Sequence, residues 1–323
     1  MARRRPHRPP PRDASHHPRA LVIEMLGLEA MIVPTDDPDL PPLRALLRKK
    51  IARNPGVVVG DLVRYRFVER EEEDGPAAVI EAVEPRLNLL TRAGYQGRPQ
   101  PVAANLDFIV IVCSPADPPL KPGLIDRYVA AAFHAGVQPV ICLNKRDLDQ
   151  DNEALDELQP YAHIDIPVVT TQATEGQPHD VAQLFDLLTG KRAVLVGHSG
   201  VGKSSIACAL IPGLDRNIGE VSDYHGRGRH TTTTATLLPL PDGGELVDTP
   251  GIRAFGLFGV EPLALRLLYP EFNALADQCR FRTCTHVHEP ACAVRTAVDN
   301  GDLDEGRYLR YLDLLDSLEH PGE

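Results

Sequence analysis

The run Gly197-His198-Ser199-Gly200-Val201-Gly202-Lys203-Ser204 limits what this chain can fold into more than any other segment. Glycine, four residues, then Gly-Lys-Ser lets a backbone bend so tightly that successive N–H groups point inward at one anion. A Cβ at the glycines would block the bend and the close approach of phosphate. An apolar strand candidate, residues 193–196, precedes the run, and a helical stretch, 205–210, follows it. The start of that helix adds partial positive charge at the same place. Gly197 to Ser205 therefore reads as a nucleoside triphosphate cradle. Lys203 is expected to reach the β and γ oxygens and to serve hydrolysis, and the Ser204 hydroxyl to ligate Mg²⁺. A chance match in a glycine-rich turn is the plainer reading, and the flanking strand and helix argue against it.

A second motif names the base. Asn144-Lys145-Arg146-Asp147 follows the strand candidate 140–143. The Asp147 carboxylate can accept hydrogen bonds from guanine N1–H and its 2-amino group, a pair of donors that adenine lacks on that edge. The Lys145 stem would cover the base, and Asn144 either tethers the loop or reads N7. Thr170 and Thr171, after Val168-Val169, are placed to offer backbone contact to the guanine carbonyl. Asp248-Thr249-Pro250-Gly251 ends a further strand candidate, 245–247. There Asp248 would hold Mg²⁺ through water and the Gly251 N–H would sense the γ-phosphate. The order of the three motifs, at 144, 197 and 248, is not that of a Ras-like GTPase, in which the phosphate loop comes first. The same sheet forms from a different starting point, so the order predicts a circular permutation.

The rest of the chain adds two regions and a tail. At 323 residues, 43% apolar and 24% charged, it can bury two or three cores. The net charge of -11 excludes a general nucleic-acid binder, so an RNA partner would need a local patch. No apolar run approaches a membrane span. Residues 1–19 carry six arginines among many prolines, read either as a disordered basic tail or as an arm for RNA phosphates. Residues 20–97 alternate short apolar segments with turns, as in a small β-barrel, and the basic stretch from Leu43 to Arg53 is expected to form a loop or short helix. Residues 98–260 alternate buried-strand and helical patterns, as in an α/β domain. Residues 261–323 are mostly helical and contain Cys279, Cys284, His286 and Cys292. Three thiolates and an imidazole suit one tetrahedral Zn²⁺ with no open position, hence a structural site. His288 is the spare candidate ligand.

Together these residues resemble the RsgA family of circularly permuted GTPases of small-ribosomal-subunit maturation. The likeness runs from about residue 20 to near the C-terminus. It includes Val59-Gly60-Asp61, Pro85-Arg86-Leu87-Asn88-Leu89-Leu90, Gly228-Arg229-His230-Thr231-Thr232-Thr233 and the Cys/His cluster. It implies an OB-fold at the N-terminus, a central GTPase and a C-terminal zinc domain, working in the cytoplasm as a monomer on the small subunit and its rRNA. Three features depart from common GTPase patterns. Ile252 stands where many GTPases place a water-orienting Gln. Phe258-Gly259 stands where family members often carry Trp-His, which leaves His230 as the substitute catalytic candidate. Gly200 replaces the Asn that some permuted GTPases use with K⁺, so no K⁺ site is expected. Thr232 or a neighbouring threonine is expected to complete the Mg²⁺ shell. The expected activity is GTP hydrolysis that drives release from the subunit. The alternative is a nucleotide-gated RNA-binding switch in which hydrolysis is secondary.

Overall fold

The computed structural model describes residues 15–48, 51, 56–69, 75–94, 99–173, 180–214, 235–248 and 256–320. Two compact units divide between Arg86 and Leu87. None of the described helices is long and apolar enough to cross a membrane.

The first unit is a five-stranded barrel of β1 (Arg19–Leu26), β2 (Glu29–Pro34), β3 (Leu43–Leu47), β4 (Leu62–Phe67) and β5 (Ala78–Val83). The ring runs β1-β2-β3-β5-β4 and closes by pairing β4 with β1; only β3 and β5 run parallel. Period-two alternation explains the core. Ala20 and Val22, Ala30 and Ile32, Leu43 and Ala45, Val63 and Tyr65, and Ala78 and Ile80 all point inward and are buried. Closure leaves no strand edge exposed.

The expected loop or short helix after Leu43 is in its first five residues the strand β3. Leu43 and Ala45 alternate inward, while Arg44 turns outward onto Glu29 of β2. Basic neighbours hid an alternation only five residues long.

Behind the barrel wall, Asp61 is fully buried. Its carboxylate accepts from Arg86 Nε at 2.6 Å, Arg86 Nη2 at 2.8 Å and the Val58 amide at 2.8 Å. Arg86 Nη2 also donates to the Gly56 carbonyl at 2.6 Å. Four charge-assisted bonds thus staple the chain before β4 to the chain after β5.

The second unit begins with a hairpin, β6 (Leu89–Ala93) and β7 (Pro99–Ala104), so this hairpin belongs with the residues after it. Then come β8 (Phe108–Cys113), α1 (Pro122–His134), β9 (Gln138–Leu143), α2 (Glu153–Glu157), α3 (Gln159–Ala162), β10 (Val168–Thr170), α4 (Ala182–Leu188), β11 (Arg192–Val196), α5 (Lys203–Leu210), β12 (Thr236–Pro239) and β13 (Glu245–Asp248). Within this unit the strands lie in the order β10-β9-β8-β11-β13-β12, all parallel except β12. The chain lays β8, β9 and β10 outward in one direction, then returns to place β11 against the other side of β8. The order reverses between β8 and β11, and ligands of open α/β sheets bind beyond the strand ends at such a point.

The C-terminal helices α6 (Pro262–Leu265), α7 (Pro270–Asn273), α8 (Ala293–Asp299) and α9 (Glu305–Glu319) share one apolar cluster with Ala130 of α1. Beside it lies a buried ionic group. Asp126 of α1, 1% exposed, receives Arg307 Nη1, Arg310 Nε at 2.5 Å and the Tyr161 hydroxyl at 2.9 Å. The Arg307 guanidinium lies 4.9 Å from the Tyr161 ring centre and 4.8 Å from that of Tyr269, and its Nε donates to Glu271. Burial alone would favour losing its proton, but the carboxylates of Asp126 and Glu271 hold it charged.

Two destabilisations are expected. Asp61→Ala leaves Arg86 unpaired and should lower the stability of the barrel by about 3 kcal/mol, read as a lower urea midpoint at unchanged slope. Arg307→Met should cost a similar amount by stranding the buried Glu271, since Asp126 keeps Arg310, and the Glu271→Leu, Arg307→Met pair should recover most of it.

Candidate functional site

The carboxyl ends of β9, β8 and β11 bring two of the sequence motifs into one place. Register explains it: Leu143 lies beside Cys113 and Val196 beside Ile111, so the loops after β9 and β11 leave the sheet at the same end. Asn144 is fully buried, and every polar atom of its side chain is used. Nδ2 donates to the Val201 carbonyl of the phosphate loop at 2.9 Å, while Oδ1 accepts from the Thr171 hydroxyl and the Ala173 amide, each at 3.0 Å. Of the two roles expected for Asn144, the tether is the one these bonds describe.

The glycines have specific causes. Gly202 has φ +99°, and a Cβ there would sit 2.2 Å from Asn144 Nδ2. Gly197 has φ +142°, and its Cβ would sit 2.2 Å from the Val112 carbonyl oxygen. Neither position accepts a larger residue without displacing backbone or the tether. Lys203 opens α5 and curls its ammonium back onto the Gly197 and His198 carbonyls, at 2.9 and 2.8 Å. The His198 ring bonds the Ser199 carbonyl at 2.8 Å. Val201 is buried, whereas Ser204 is exposed at the first turn of the helix and Ser205 is half-buried behind it.

Around the guanine motif, Asp147 is exposed, and no other described residue holds its carboxylate. Lys145 adopts φ 58° and donates to the Asp117 carbonyl, bridging to the loop after β8. Arg146 turns away, onto the Asp149 carbonyl and Asn152. Its reach is toward its own loop. Thr171 is buried; its N–H donates to the Leu143 carbonyl at 2.9 Å and its carbonyl accepts from the Arg146 N–H at 3.2 Å. Thr170 ends β10 with its N–H on Gln183 Oε1 at 3.3 Å. Asp248 ends β13 half-buried, and that burial raises its carboxyl pKa. His230, Thr232, Gly251, Ile252 and residues 1–14 lie outside the described residues.

Apart from this cradle, the ligand atoms of Cys279, Cys284, His286 and Cys292 lie within 4.8 Å of one another, a set that could hold one metal ion. His286 Nδ1 faces the thiols, 3.3 Å from Cys292 Sγ and 3.7 Å from Cys279 Sγ. His286 takes φ 62°, a costly conformation outside glycine, and the Tyr308 hydroxyl secures its carbonyl at 2.7 Å. His288 is exposed. Burial raises the thiol pKa of Cys284 to about 12 and that of Cys292 above its ordinary value. Glu289 folds under the knuckle, where it accepts the Thr285 amide and hydroxyl at 2.5 and 2.7 Å and the Val287 and His288 amides at 3.1 and 3.3 Å. Burial opposes its ionisation, but these donors outweigh it and bring the carboxyl down to about 2. The stabilisation is therefore whole above pH 4.5 and is lost as pH falls through about 2.

Sequence reasoning missed Glu289, the Asp117 contact and the Asp126–Arg307 group. Only the last left a trace: Asp126 interrupts the apolar pattern of α1, and Arg307 and Arg310 stand one turn apart.

The profile of the RsgA GTPase family matches residues 83–258. A Vibrio vulnificus protein named small ribosomal subunit biogenesis GTPase RsgA 1 is 40% identical over 303 residues, 93% of this chain and 84% of its own. A Pseudomonas fluorescens protein named small ribosomal subunit biogenesis GTPase RsgA is 43% identical over 270 residues, 83% of this chain and 76% of its own. Among solved structures, YjeQ from Thermotoga maritima superposes with a TM-score of 0.74 at 32% identity, covering 95% of this chain and 99% of that one. YloQ, described as a circularly permuted GTPase, gives 0.71 at 25% identity, covering 95% and 97%. By the match of its central domain and by identity along nearly its whole length, the chain belongs to the RsgA GTPase family.

Proposed function

We propose that this chain binds GTP at the β8–β11 switch point and hydrolyses it to GDP and phosphate. It binds the small ribosomal subunit, assists its late maturation, and uses hydrolysis to drive its own release. The observation that carries the reading is the direct bond from Asn144 of the guanine motif to Val201 of the phosphate loop, in a chain with relatives of that named activity.

In this reading Asp147 accepts the two guanine donors, Lys145 covers the base, and the backbone of Thr170 and Thr171 lies at the carbonyl edge. Arg146 supports the loop from outside. The backbone from Gly197 to Ser205 cradles the phosphates, and Lys203 leaves its carbonyls to meet the β and γ oxygens. Mg²⁺, held by Ser204, by Asp248 and by Thr232 of the switch segment, supplies neutralisation of phosphate charge. Ile252 cannot orient water, so turnover is slow alone and depends on a group supplied from elsewhere. His230 is the candidate within the chain. The Cys279, Cys284, His286 and Cys292 set holds one structural Zn²⁺. The barrel supplies rRNA contact, and the protein acts as a cytoplasmic monomer. Ile252 and Phe258-Gly259 favour the rival reading, a nucleotide-gated RNA-binding switch.

Purified small subunits should raise multiple-turnover GTPase activity well beyond about twofold; a smaller rise overturns the ribosome-activated reading. Particles should release faster with GTP than with a non-hydrolysable analogue, and equal release supports the rival. Asp147→Asn presents a donor where guanine needs an acceptor. It should weaken GTP binding at least about a hundredfold and improve binding of xanthosine triphosphate, both measurable by nucleotide titration. At pH 7, uptake of zinc by the metal-free protein should release about three protons in a weakly buffered titration, one for each thiol.

A further inference from the structure

A cavity of about 600 Å³ opens between the end of α3 and the layer formed by α7 and the α8–α9 turn. It has no part in nucleotide or metal binding. Its wall is of two kinds. Ile164, Pro270 and Leu303 give it apolar surface, while Asp165, Asp302 and Asp304 place carboxylates at the exposed rim. Glu271 also lines it, with a side chain only 6% exposed. One of its oxygens takes the Arg307 Nε; the other, Oε2, is buried with no hydrogen-bond partner among the described residues. Arg307 contributes no spare positive charge here, because Asp126 and Glu271 already balance it. His163 is the remaining titratable group in the wall.

A buried carboxylate oxygen left without a donor is costly, and native structures seldom keep one without a reason. The volume lies within the range of pockets that enclose small ligands. The combination of apolar wall and acidic rim, with the buried Glu271 carboxylate beneath the wall, is complementary to a chemical class with a long aliphatic stem and a cationic, donor-only head. Lysine and arginine side chains have that form. Nucleic acid does not, because the rim repels phosphate.

We propose that this cavity is a docking site for a lysine- or arginine-rich segment of a partner protein. One side chain lies along the apolar wall and brings its charged head toward Glu271, and the flanking basic residues meet Asp165 and Asp302. The site is separate from the GTPase cradle, and nothing in it depends on the nucleotide reading.

The test is fluorescence anisotropy of a labelled heptapeptide of alternating glycine, lysine and arginine, titrated with the full chain. Salt at about 0.15 M screens diffuse attraction. The double variant Asp165→Asn, Asp302→Asn should weaken binding by about fivefold or more. The double variant Asp313→Asn, Glu319→Gln removes the same charge from exposed positions of α9 outside the cavity, and should change binding by less than about twofold. Glu271→Gln should weaken binding beyond the rim variant. Equal loss in both double variants, or no measurable binding to the unmodified chain, overturns the proposal. So does tighter binding of spermidine than of the peptide in competition, which would assign the cavity to a free polyamine. The GTPase rate without ribosomes should be the same in the rim variant. A change there would count against a site separate from the cradle, without bearing on whether the chain hydrolyses GTP.

Discussion

The carboxamide of Asn144 joins what the permuted chain order separates. The guanine motif arrives before the phosphate loop in sequence, by more than fifty positions, and belongs to a different strand. A single buried side chain then spans the loops after β9, β10 and β11 through its contacts with Leu143's neighbours Thr171 and Ala173 and with Val201. Both polar atoms of its carboxamide bond protein partners, so it fixes the spacing between base reader and phosphate cradle before any nucleotide arrives. Pre-set spacing of this kind spares the ligand the entropy of ordering the loops. It also explains Gly202 without reference to phosphate: the space a Cβ would need is already occupied by the Asn144 amide.

A second constraint lies where α1 meets α9. Arg307 brings a positive charge into a place where it is 3% exposed, and it is tolerated because Asp126 and Glu271 are there with it, between two tyrosine rings. Such a group contributes less net stability than its short contacts suggest, since desolvation opposes the attraction. What it does supply is register. An apolar cluster such as Leu265, Phe272 and Leu315 would permit sliding of α9 along α1, whereas three donors on one carboxylate fix a single seating. The end of α1 and the C-terminal helices are thereby held together.

The sheet and the cradle were legible in sequence because their signals are local. Phe108–Cys113 is a run of apolar residues with no alternation, the pattern of a strand covered on both faces, and the glycines of the phosphate loop have only one common use. Strand β3 was illegible for the opposite reason: five residues, one arginine and basic neighbours give too short a period to read. Arg146 lies inside the four-residue guanine motif, yet nothing in its spacing shows that its guanidinium turns back onto Asp149 and Asn152. The Asp126–Arg307 pair spans 181 positions, and no single-sequence pattern reports a partner at that distance.

The Cys/His knuckle shows how a fold can prepare a metal site whose ligands it would otherwise keep neutral. Burial raises the thiols of Cys284 and Cys292, so without an ion the protonated forms prevail at neutral pH. The backbone that presents them is nevertheless held in place independently of the ion. Glu289 gathers the amides of Thr285, Val287 and His288, and the hydroxyls of Tyr308 and Tyr311 hold the carbonyls of His286 and Thr285, each at 2.7 Å. These two tyrosines extend from α9, the helix that carries Arg307. Knuckle and Asp126 therefore lie along one short chain of contacts, and an ion held there would convert buried thiols to charged ligands in a loop already bent to receive it.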